Sequence, residues 1–197
     1  MAKRKVCTSH VRRPMKVTPC RIPGVLLLEP RVFGDERGFF FESFNQRQFR
    51  DATGLDMQFV QDNHSRSARH VLRGLHYQVV QPQGKLVSVV AGEVFDVVAD
   101  IRPDSPTCGQ WAGELLSASN KRQMWVPPGL AHGFLVLSDS ADCLYKTTDY
   151  YAPQHERCIA WDDPGLAIDW PLGGEPPVLS AKDQQGDRFD PRAQARG

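Results

Sequence analysis

The sequence has no long hydrophobic run and few cysteines. None of its apolar segments approaches the roughly 20 residues that a membrane-spanning helix needs, and no apolar stretch resembling a secretory signal stands near residue 1. The five cysteines are irregularly spaced and include no CxxC pair, which argues against a disulfide framework and against a zinc knuckle. We therefore expect a protein of the reducing cytoplasm, without a membrane partner.

Outside the N-terminal segment the sequence has no excess of positive charge. Residues 1–21 carry seven of the 24 lysines and arginines and none of the 23 acidic residues, so the rest of the chain is mildly acidic. That remainder has no basic stripe with interleaved aromatic residues, which is the pattern of a nucleic-acid-binding surface. We therefore expect no nucleic-acid partner.

The domain organisation is predicted to be simple. A chain of 197 residues is long enough to bury one full core, and no segment is typical of a linker between two large halves. We predict a single domain over residues 15–190. Residues 1–14 have no hydrophobic period and are expected to form a disordered basic extension, which is a misassigned start, an added segment or a dispensable extension. Residues 191–197 are expected to form a disordered tail.

The hydrophobic pattern is that of an all-β protein. Short apolar or alternating segments follow one another between turn signals, as in a jelly-roll sandwich or barrel. We predict strands at 25–29, 39–43, 57–61, 71–78, 85–90, 93–102, 111–117, 123–126, 133–137 and 143–148. One short helix is predicted over residues 45–52, with Phe49 as its apolar contact and Gly54 as its C-cap. From Trp161 onwards the chain is expected to be irregular and to wrap around the strands.

Three local arrangements are predicted within this pattern. The segments VLLLE (25–29) and FFFES (39–43) should form a hairpin whose aromatic residues are buried. The polar stretch DNHSRSARH (62–70) should be a loop. A second hairpin, turning at Gly84, should bring Lys85 back beside His76.

The segment VLRGLHYQ (71–78) contains a candidate base. A histidine titrates near neutrality, so His76 can accept and return a proton at working pH. A hydrogen-bonded histidine of the core would look the same in the sequence. Arg73 and His76 would point to opposite faces of a regular strand, so a bend at Gly74 is expected if both contact one ligand.

Strand 93–102 carries acidic residues on one of its faces. Such carboxylates are often only solvated. If this face instead lines a polar cavity of a small barrel, Asp96 could orient His132. The sequence leaves both alternatives open.

Two motifs resemble the cupin signature. Residues 127–132, PPGLAH, fit its PxGxxH half, and Gly92 fits the glycine that closes its first half. The positions of the metal ligands in cupins are occupied here by His76, Gln78, Lys85 and His132. Because an ammonium replaces a carboxylate in this set, we expect no divalent metal. A base beside a cation suits proton removal next to a carbonyl group and stabilisation of the enolate oxygen.

Longer motifs give a closer resemblance over residues 22–184. They are VFGDERGFFFES, FVQDNHS, VLRGLHYQ, GKLVSVVAGEVFDVVADIR, NKRQMWVPPGLAHGF, LYKTTDYYAP and LSAKD. In this order they resemble the dTDP-4-dehydrorhamnose 3,5-epimerase family. The resemblance implies conversion of dTDP-4-dehydro-6-deoxyglucose to dTDP-4-dehydrorhamnose without a metal or cofactor. It also implies a homodimer in which N-terminal strands help to build the neighbour's nucleotide site.

The resemblance also implies roles for individual residues. His76 is the base at C3 and C5, Asp183 is its partner, and Lys85 faces the C4 oxygen. Tyr145 returns the proton from the opposite side of the ring. Substrate-binding positions fall on Arg37, Glu42, Gln61, Asn63, Arg73, His132, Tyr151, Glu156 and Lys182.

Other functions remain compatible with the sequence. The nearest alternative is an epimerase that inverts one carbon or acts on another nucleotide sugar. A sugar-binding cupin without activity and a metal-dependent cupin oxygenase are further alternatives. The chain departs from the family pattern at Arg157 and Cys158, where a small residue is expected beside Glu156, and residues 1–14 have no counterpart in the family.

Overall fold

The computed structural model of the protein describes residues 15–191. Within this range the chain forms thirteen strands, one α-helix and two short 3-10 helices, at Pro153–His155 and Asp183–Gln185. The helix, α1, spans Gln46–Thr53. The strands are β1 (Lys16–Pro19), β2 (Leu26–Glu29), β3 (Phe33–Asp35), β4 (Gly38–Phe40), β5 (Gln61–Ala68), β6 (Leu72–Gln78), β7 (Lys85–Ala91), β8 (Glu93–Asp100), β9 (Trp111–Ser117), β10 (Gln123–Val126), β11 (Leu130–Val136), β12 (Ser140–Thr147) and β13 (Glu156–Cys158).

Two antiparallel sheets make up most of the fold. The larger sheet has the strand order β1-β2-β10-β7-β12-β5, and the smaller has the order β13-β6-β11-β8-β9. Strands β3 and β4 form a separate two-stranded ribbon. The all-β, cupin-type jelly roll predicted from the sequence is confirmed, with two open sheets in place of a closed barrel.

Strand β8 shows where the two hydrophobic clusters lie. Val94 and Val98 belong to the cluster between the sheets, whereas Val97 and Ala99 belong to a second cluster on the outer face of the smaller sheet. Successive residues of a strand point to opposite faces, so β8 is buried on both sides. Residues from the irregular C-terminal segment, among them Trp170, cover the outer face, as predicted.

The single helix forms as predicted. The Asn45 side chain accepts the Gln48 N–H at 3.1 Å and caps the start of α1, and Gly54 ends it with φ of +74°. Phe49 is buried against Trp125, with the ring centroids 5.6 Å apart. None of the helices between residues 15 and 191 is long and apolar enough to cross a membrane.

The predicted N-terminal hairpin is wrong. Strand β2 pairs with β1 and β10, not with the aromatic segment, which closes on itself as the β3–β4 ribbon. Phe39 and Phe40 are 61% and 67% exposed, although burial was predicted for them. An aromatic run indicates that its side chains prefer burial, but it does not indicate which other residues pack against them.

The predicted loop at 62–70 is also wrong, because most of it belongs to β5. This edge strand pairs with β12 over its whole length, with Asn63 opposite Tyr145. Its residues alternate between partly buried and exposed positions, but nearly all of them are polar. The apolar period that identifies a strand is therefore missing. The strand predicted at 57–61 is absent except for Gln61.

Strands β6 and β7 do not form the predicted hairpin, because they belong to different sheets. His76 and Lys85 therefore face one another across the space between the sheets. The short strands β1 and β13 were not predicted, since three or four residues are too few to establish a period. The predictions for residues 1–14 and 192–197 lie outside the described residues.

Candidate active site

A cavity of about 310 Å³ opens between the two sheets. It brings together nine of the thirteen residues to which the family resemblance assigns a catalytic or substrate-binding role. They are Gln61, Asn63, Arg73, His76, Lys85, His132, Tyr145, Tyr151 and Glu156.

His76 is paired with Asp183 at one side of this cavity. His76 Nε2 lies 2.7 Å from Asp183 Oδ1, and the Asp183 side chain is only 4% exposed. Burial would raise the pKa of the Asp183 carboxyl, but hydrogen bonds from His76, Ser180 and the Gly74 N–H lower it to about 2. Because this carboxylate can only accept, Nε2 carries the hydrogen and the second ring nitrogen, Nδ1, can take a proton.

The expected bend at Gly74 is present. Gly74 has φ of +120°, a conformation that residues with a side chain rarely adopt. A Cβ at this position would lie 2.6 Å from the Gly133 Cα. The pairing of β6 with β11 also shifts register here, between His132 and Phe134. The bend lets Arg73 and His76 line the same cavity.

Lys85 and Tyr145 enter the cavity from the larger sheet. Lys85 is opposite Thr147 in the pairing of β7 with β12, and Tyr145 is opposite Val87, so both side chains point to one face. Burial lowers the pKa of Lys85 to about 8 and raises the pKa of Tyr145. At neutral pH the cavity thus presents an ammonium and a protonated phenol opposite His76.

His132 is held by a second buried carboxylate. His132 Nε2 lies 2.8 Å from Asp96 Oδ1, and Asp96 has no exposed surface. The hypothesis that Asp96 contacts and orients His132 is consistent with this geometry. His132 stands directly opposite His76 in the pairing of β11 with β6, so both imidazoles reach the cavity from neighbouring strands.

A polar cluster forms the rim of the cavity. The Tyr151 hydroxyl donates to Glu156 Oε2 at 2.7 Å, and Lys182 forms an ion pair with the same carboxylate. Gln61 Nε2 donates to Asn63 Oδ1 at 2.9 Å. Glu156 therefore lies at the site despite the unusual residues that follow it in the sequence.

The donor set does not fit a cupin metal site. His76 and His132 each direct Nε2 to a carboxylate, and Lys85 contributes an ammonium. Gln78 is also occupied, because its Oε1 accepts the Ala152 N–H at 2.9 Å and its Nε2 donates to the Gln81 carbonyl at 2.8 Å. The two imidazoles keep Nδ1 as a ligand atom, but the ammonium cannot bind a divalent metal and the amide is occupied, so these four side chains offer too few ligands.

One other group within residues 15–191 has metal-ligating residue types, namely His76, Cys158 and Asp183. Burial raises the pKa of the Cys158 thiol to about 11. His76 Nε2 and Asp183 Oδ1 are joined to each other by a 2.7 Å hydrogen bond, which occupies two of the three ligand atoms. The cluster is better suited to holding His76 than to binding an ion.

The family model for dTDP-4-dehydrorhamnose 3,5-epimerase matches residues 19–190. The chain belongs to this epimerase family. The enzyme of that name from Pseudomonas aeruginosa is 67% identical over 89% of this chain and 96% of its own length. Family membership makes the chain an isomerase that acts as an epimerase.

Solved epimerase structures share the fold. The enzyme from Legionella pneumophila, in complex with dTDP-4-keto-L-rhamnose, is 56% identical with a TM-score of 0.86, covering 89% of this chain and 93% of that one. The 3'-monoepimerase ChmJ from Streptomyces bikiniensis, in complex with dTDP-quinovose, is 35% identical with a TM-score of 0.83, covering 90% and 89%.

Two predicted binding residues of this epimerase lie away from the cavity. Arg37 is exposed on the β3–β4 ribbon, where it pairs with Asp35. Glu42 accepts a hydrogen bond from Asn45 Nδ2 at 3.1 Å, beside the helix. Neither residue lines the cavity of its own chain, so the structure does not bring them together with the other predicted site residues.

Sequence reasoning missed three serines of the epimerase site. Ser67 Oγ accepts a hydrogen bond from Arg73 Nε at 2.9 Å, and Ser180 Oγ donates to Asp183 Oδ2 at 2.6 Å. Ser65 lines the cavity, and its buried hydroxyl has no partner among the described residues. No apolar period marks β5 as a strand, so the sequence could not place Ser65 and Ser67 on its cavity face, and no spacing connects Ser180 with β6.

Proposed function

We propose that this epimerase inverts C3 and C5 of dTDP-4-dehydro-6-deoxy-D-glucose to form dTDP-4-dehydro-L-rhamnose, in the biosynthesis of dTDP-L-rhamnose. The observation that carries the proposal is the placement of the His76–Asp183 pair on one side of the cavity and Tyr145 on the other. The names of the relatives support the choice of substrate.

Proton abstraction is assigned to His76. The hydrogens at C3 and C5 are both acidic because each carbon adjoins the C4 ketone. His76 Nδ1 takes the proton, while the Asp183 carboxylate balances the charge of the imidazolium. The Lys85 ammonium stabilises the C4 oxygen as it becomes an enolate.

Reprotonation is assigned to Tyr145. A lone base tends to return a proton to the face from which it came, so inversion requires an acid on the opposite face. Tyr145 belongs to the sheet that faces His76, and its raised pKa keeps the phenol protonated at neutral pH. After each inversion His76 carries one proton more and Tyr145 one fewer, and exchange with solvent restores both. The two transfers are redox-neutral, so the mechanism uses no redox cofactor.

Binding of the nucleotide is assigned to the polar residues around the catalytic residues. Arg73 and His132 are proposed to contact the diphosphate and the sugar, since cationic and donor groups bind phosphate oxygens strongly. Tyr151 is proposed to stack on thymine at the rim, where it is 52% exposed. Gln61, Asn63, Glu156 and Lys182 complete the binding positions.

We also propose a homodimer. Arg37 and Glu42 lie outside the cavity of their own chain, on a segment that exposes Phe39 and Phe40. Neighbouring exposed aromatic residues are typical of a protein interface. In the proposed dimer this segment covers the neighbouring chain and brings Arg37 and Glu42 to the neighbour's cavity.

A cytoplasmic location without membrane or nucleic-acid partners is part of the proposal. The four described cysteines, Cys20, Cys108, Cys143 and Cys158, are free thiols, which supports a reducing compartment. The mildly acidic chain beyond residue 21 offers little attraction to nucleic acid.

Proton NMR in deuterated water tests the reaction. With dTDP-4-dehydro-6-deoxyglucose as substrate, deuterium should replace hydrogen at both C3 and C5, and the product should have both centres inverted. Exchange at neither carbon would contradict the proposal.

The second candidate is a single-carbon epimerase of another nucleotide deoxysugar. It is favoured by the likeness to the 3'-monoepimerase ChmJ. In the same NMR experiment, exchange and inversion at one carbon alone would support this candidate and exclude the first.

A further inference from the structure

Two separate parts of the chain hold the Asp183 carboxylate. Its Oδ1 faces β6, where His76 Nε2 donates at 2.7 Å and the Gly74 N–H donates at 3.2 Å. Its Oδ2 faces the C-terminal segment, where the Ser180 hydroxyl donates at 2.6 Å. Asp183 is 4% exposed, so solvent has little access to either oxygen.

The Ser180 hydroxyl contacts Asp183 twice. Besides donating to the carboxylate, Ser180 Oγ accepts the Asp183 backbone N–H at 3.2 Å. The Ser180 carbonyl accepts the Gln184 N–H at 3.0 Å, which closes the turn at this point. One hydroxyl therefore fixes both the backbone and the side chain of Asp183.

We propose that Ser180 is a positioning residue for proton abstraction. Its hydroxyl prevents rotation of the Asp183 carboxylate, so that Oδ1 stays on His76 Nε2 and His76 Nδ1 stays directed towards the substrate. Ser180 does not line the cavity and acts only through Asp183. This inference rests on the proposed function, in which His76 is the base.

Kinetics of a Ser180→Ala variant test the proposal. The substitution removes a hydrogen bond to a charged group, so kcat should fall roughly 10- to 100-fold. KM should not change, because Ser180 does not reach the substrate. Deuterium exchange at C3 and at C5 should slow by the same factor, since one base serves both carbons.

The pH profile gives a second measurement. The Ser180 hydrogen bond helps to lower the pKa of the Asp183 carboxyl. Without it, the pKa of the Asp183 carboxyl should rise. The pH profile of the Asp183 carboxyl, followed by carbon-13 NMR, should therefore have a higher midpoint in Ser180→Ala.

Two controls separate positioning from simple stabilisation. Ser180→Thr keeps the hydroxyl and should restore both kcat and the pH profile. Ser138→Ala removes a comparable turn contact, because Ser138 Oγ accepts the Glu93 N–H at 2.8 Å and does not line the cavity. It should lower stability alone.

The proposal is overturned if Ser180→Ala has normal kcat and a normal pH profile. It is also overturned if kcat falls only in proportion to the unfolded fraction, as in Ser138→Ala. His76→Ala is measured in parallel. If His76→Ala is inactive while Ser180→Ala is normal, the positioning role alone fails. If His76→Ala still exchanges at the normal rate, the assignment of the base, and with it the proposed function, fails.

Discussion

At the scale of single residues, burial and hydrogen bonding shift the pKa values of two acidic groups of the site in opposite directions. Asp183 is a carboxylate whose pKa is about 2, so it remains charged beside His76 at any working pH. Tyr145 has a raised pKa and retains its proton. These opposite shifts provide the fixed charge and the acid that two-sided proton transfer requires.

His76→Ala and Tyr145→Phe should impair the reaction in different ways. Loss of His76 should abolish deuterium exchange at both carbons, because no other group is placed to remove a proton. Loss of the Tyr145 hydroxyl should lower the rate by roughly 10²- to 10⁴-fold while leaving some exchange, because only the acid is missing. NMR in deuterated water measures both effects. Wild-type exchange in His76→Ala would refute the assignment.

Lys85 should set the alkaline limit of activity. Burial lowers its pKa to about 8, and only the protonated amine stabilises the enolate. The ammonium is present below this pKa and is lost as the pH rises through it, so kcat/KM should decline above about pH 8. Lys85→Arg retains its charge at higher pH, so its alkaline limb should move upward even if its maximal rate is lower. A wild-type kcat/KM that stays constant to about pH 10 would contradict this role.

At the scale of elements, the bend in β6 places the base and Arg73 on one side of the strand. Gly74→Ala should straighten or strain this strand, because φ is +120° and the new Cβ would lie 2.6 Å from Gly133 Cα and 2.8 Å from the His132 carbonyl oxygen. We expect the free energy of unfolding to fall by about 2–4 kcal/mol, with loss of most activity. Urea denaturation measures the change.

Gly173→Ala is the matched control for this prediction. Gly173 also has a positive φ, of +64°, but nothing lies within 4 Å of its added Cβ. It should lower the free energy of unfolding by only about 1 kcal/mol, the cost of the backbone conformation itself. Equal losses for the two variants would mean that the close approach of β6 to β11 is unimportant.

The sequence predicted those strands and helices that have a hydrophobic period or capping residues of their own. The apolar strands of the core and the helix from Asn45 to Gly54 were identified because period and capping are local properties. Strand β5 was missed because its inward residues face a polar cavity. The partner of β2 was misassigned because the residues of a strand do not indicate which distant strand pairs with it.

In the site, too, residues within local motifs could be predicted from the sequence, whereas contacts between distant residues could not. The sequence alone indicated His76 and Lys85, because both stand near glycine turns in short motifs. The link between His76 and Asp183 came from the family resemblance and spans 107 positions, which no spacing argument can bridge. Ser180 was missed for the same reason.

At the scale of the whole molecule, activity should not depend on a metal ion. The cupin ligand positions of this chain offer an ammonium and an occupied amide beside two imidazoles that bind carboxylates. Dialysis against a strong chelator should therefore leave kcat unchanged in an NMR or coupled assay. A large loss that is restored by a divalent ion would contradict this reading of Lys85.

The proposed dimer should separate when its exposed aromatic residues are removed. Phe39→Ser with Phe40→Ser should give a monomer by multi-angle light scattering, because both rings are mostly exposed in the single chain. Leu115→Ser is the control, since Leu115 is also exposed, at 44%, but lies on β9. A dimer that survives the double substitution would place the interface elsewhere.

Mixed dimers can show whether Arg37 acts in the neighbouring chain. Arg37→Ala and His76→Ala should each be impaired alone, because every site then lacks one group. After subunit exchange, a mixed dimer should contain one complete site, formed by His76 of one protomer and Arg37 of its partner. Random mixing should then restore up to about a quarter of wild-type activity. If Arg37 acts within its own chain, no mixed dimer has a complete site, and the activity stays at the level of the two variants.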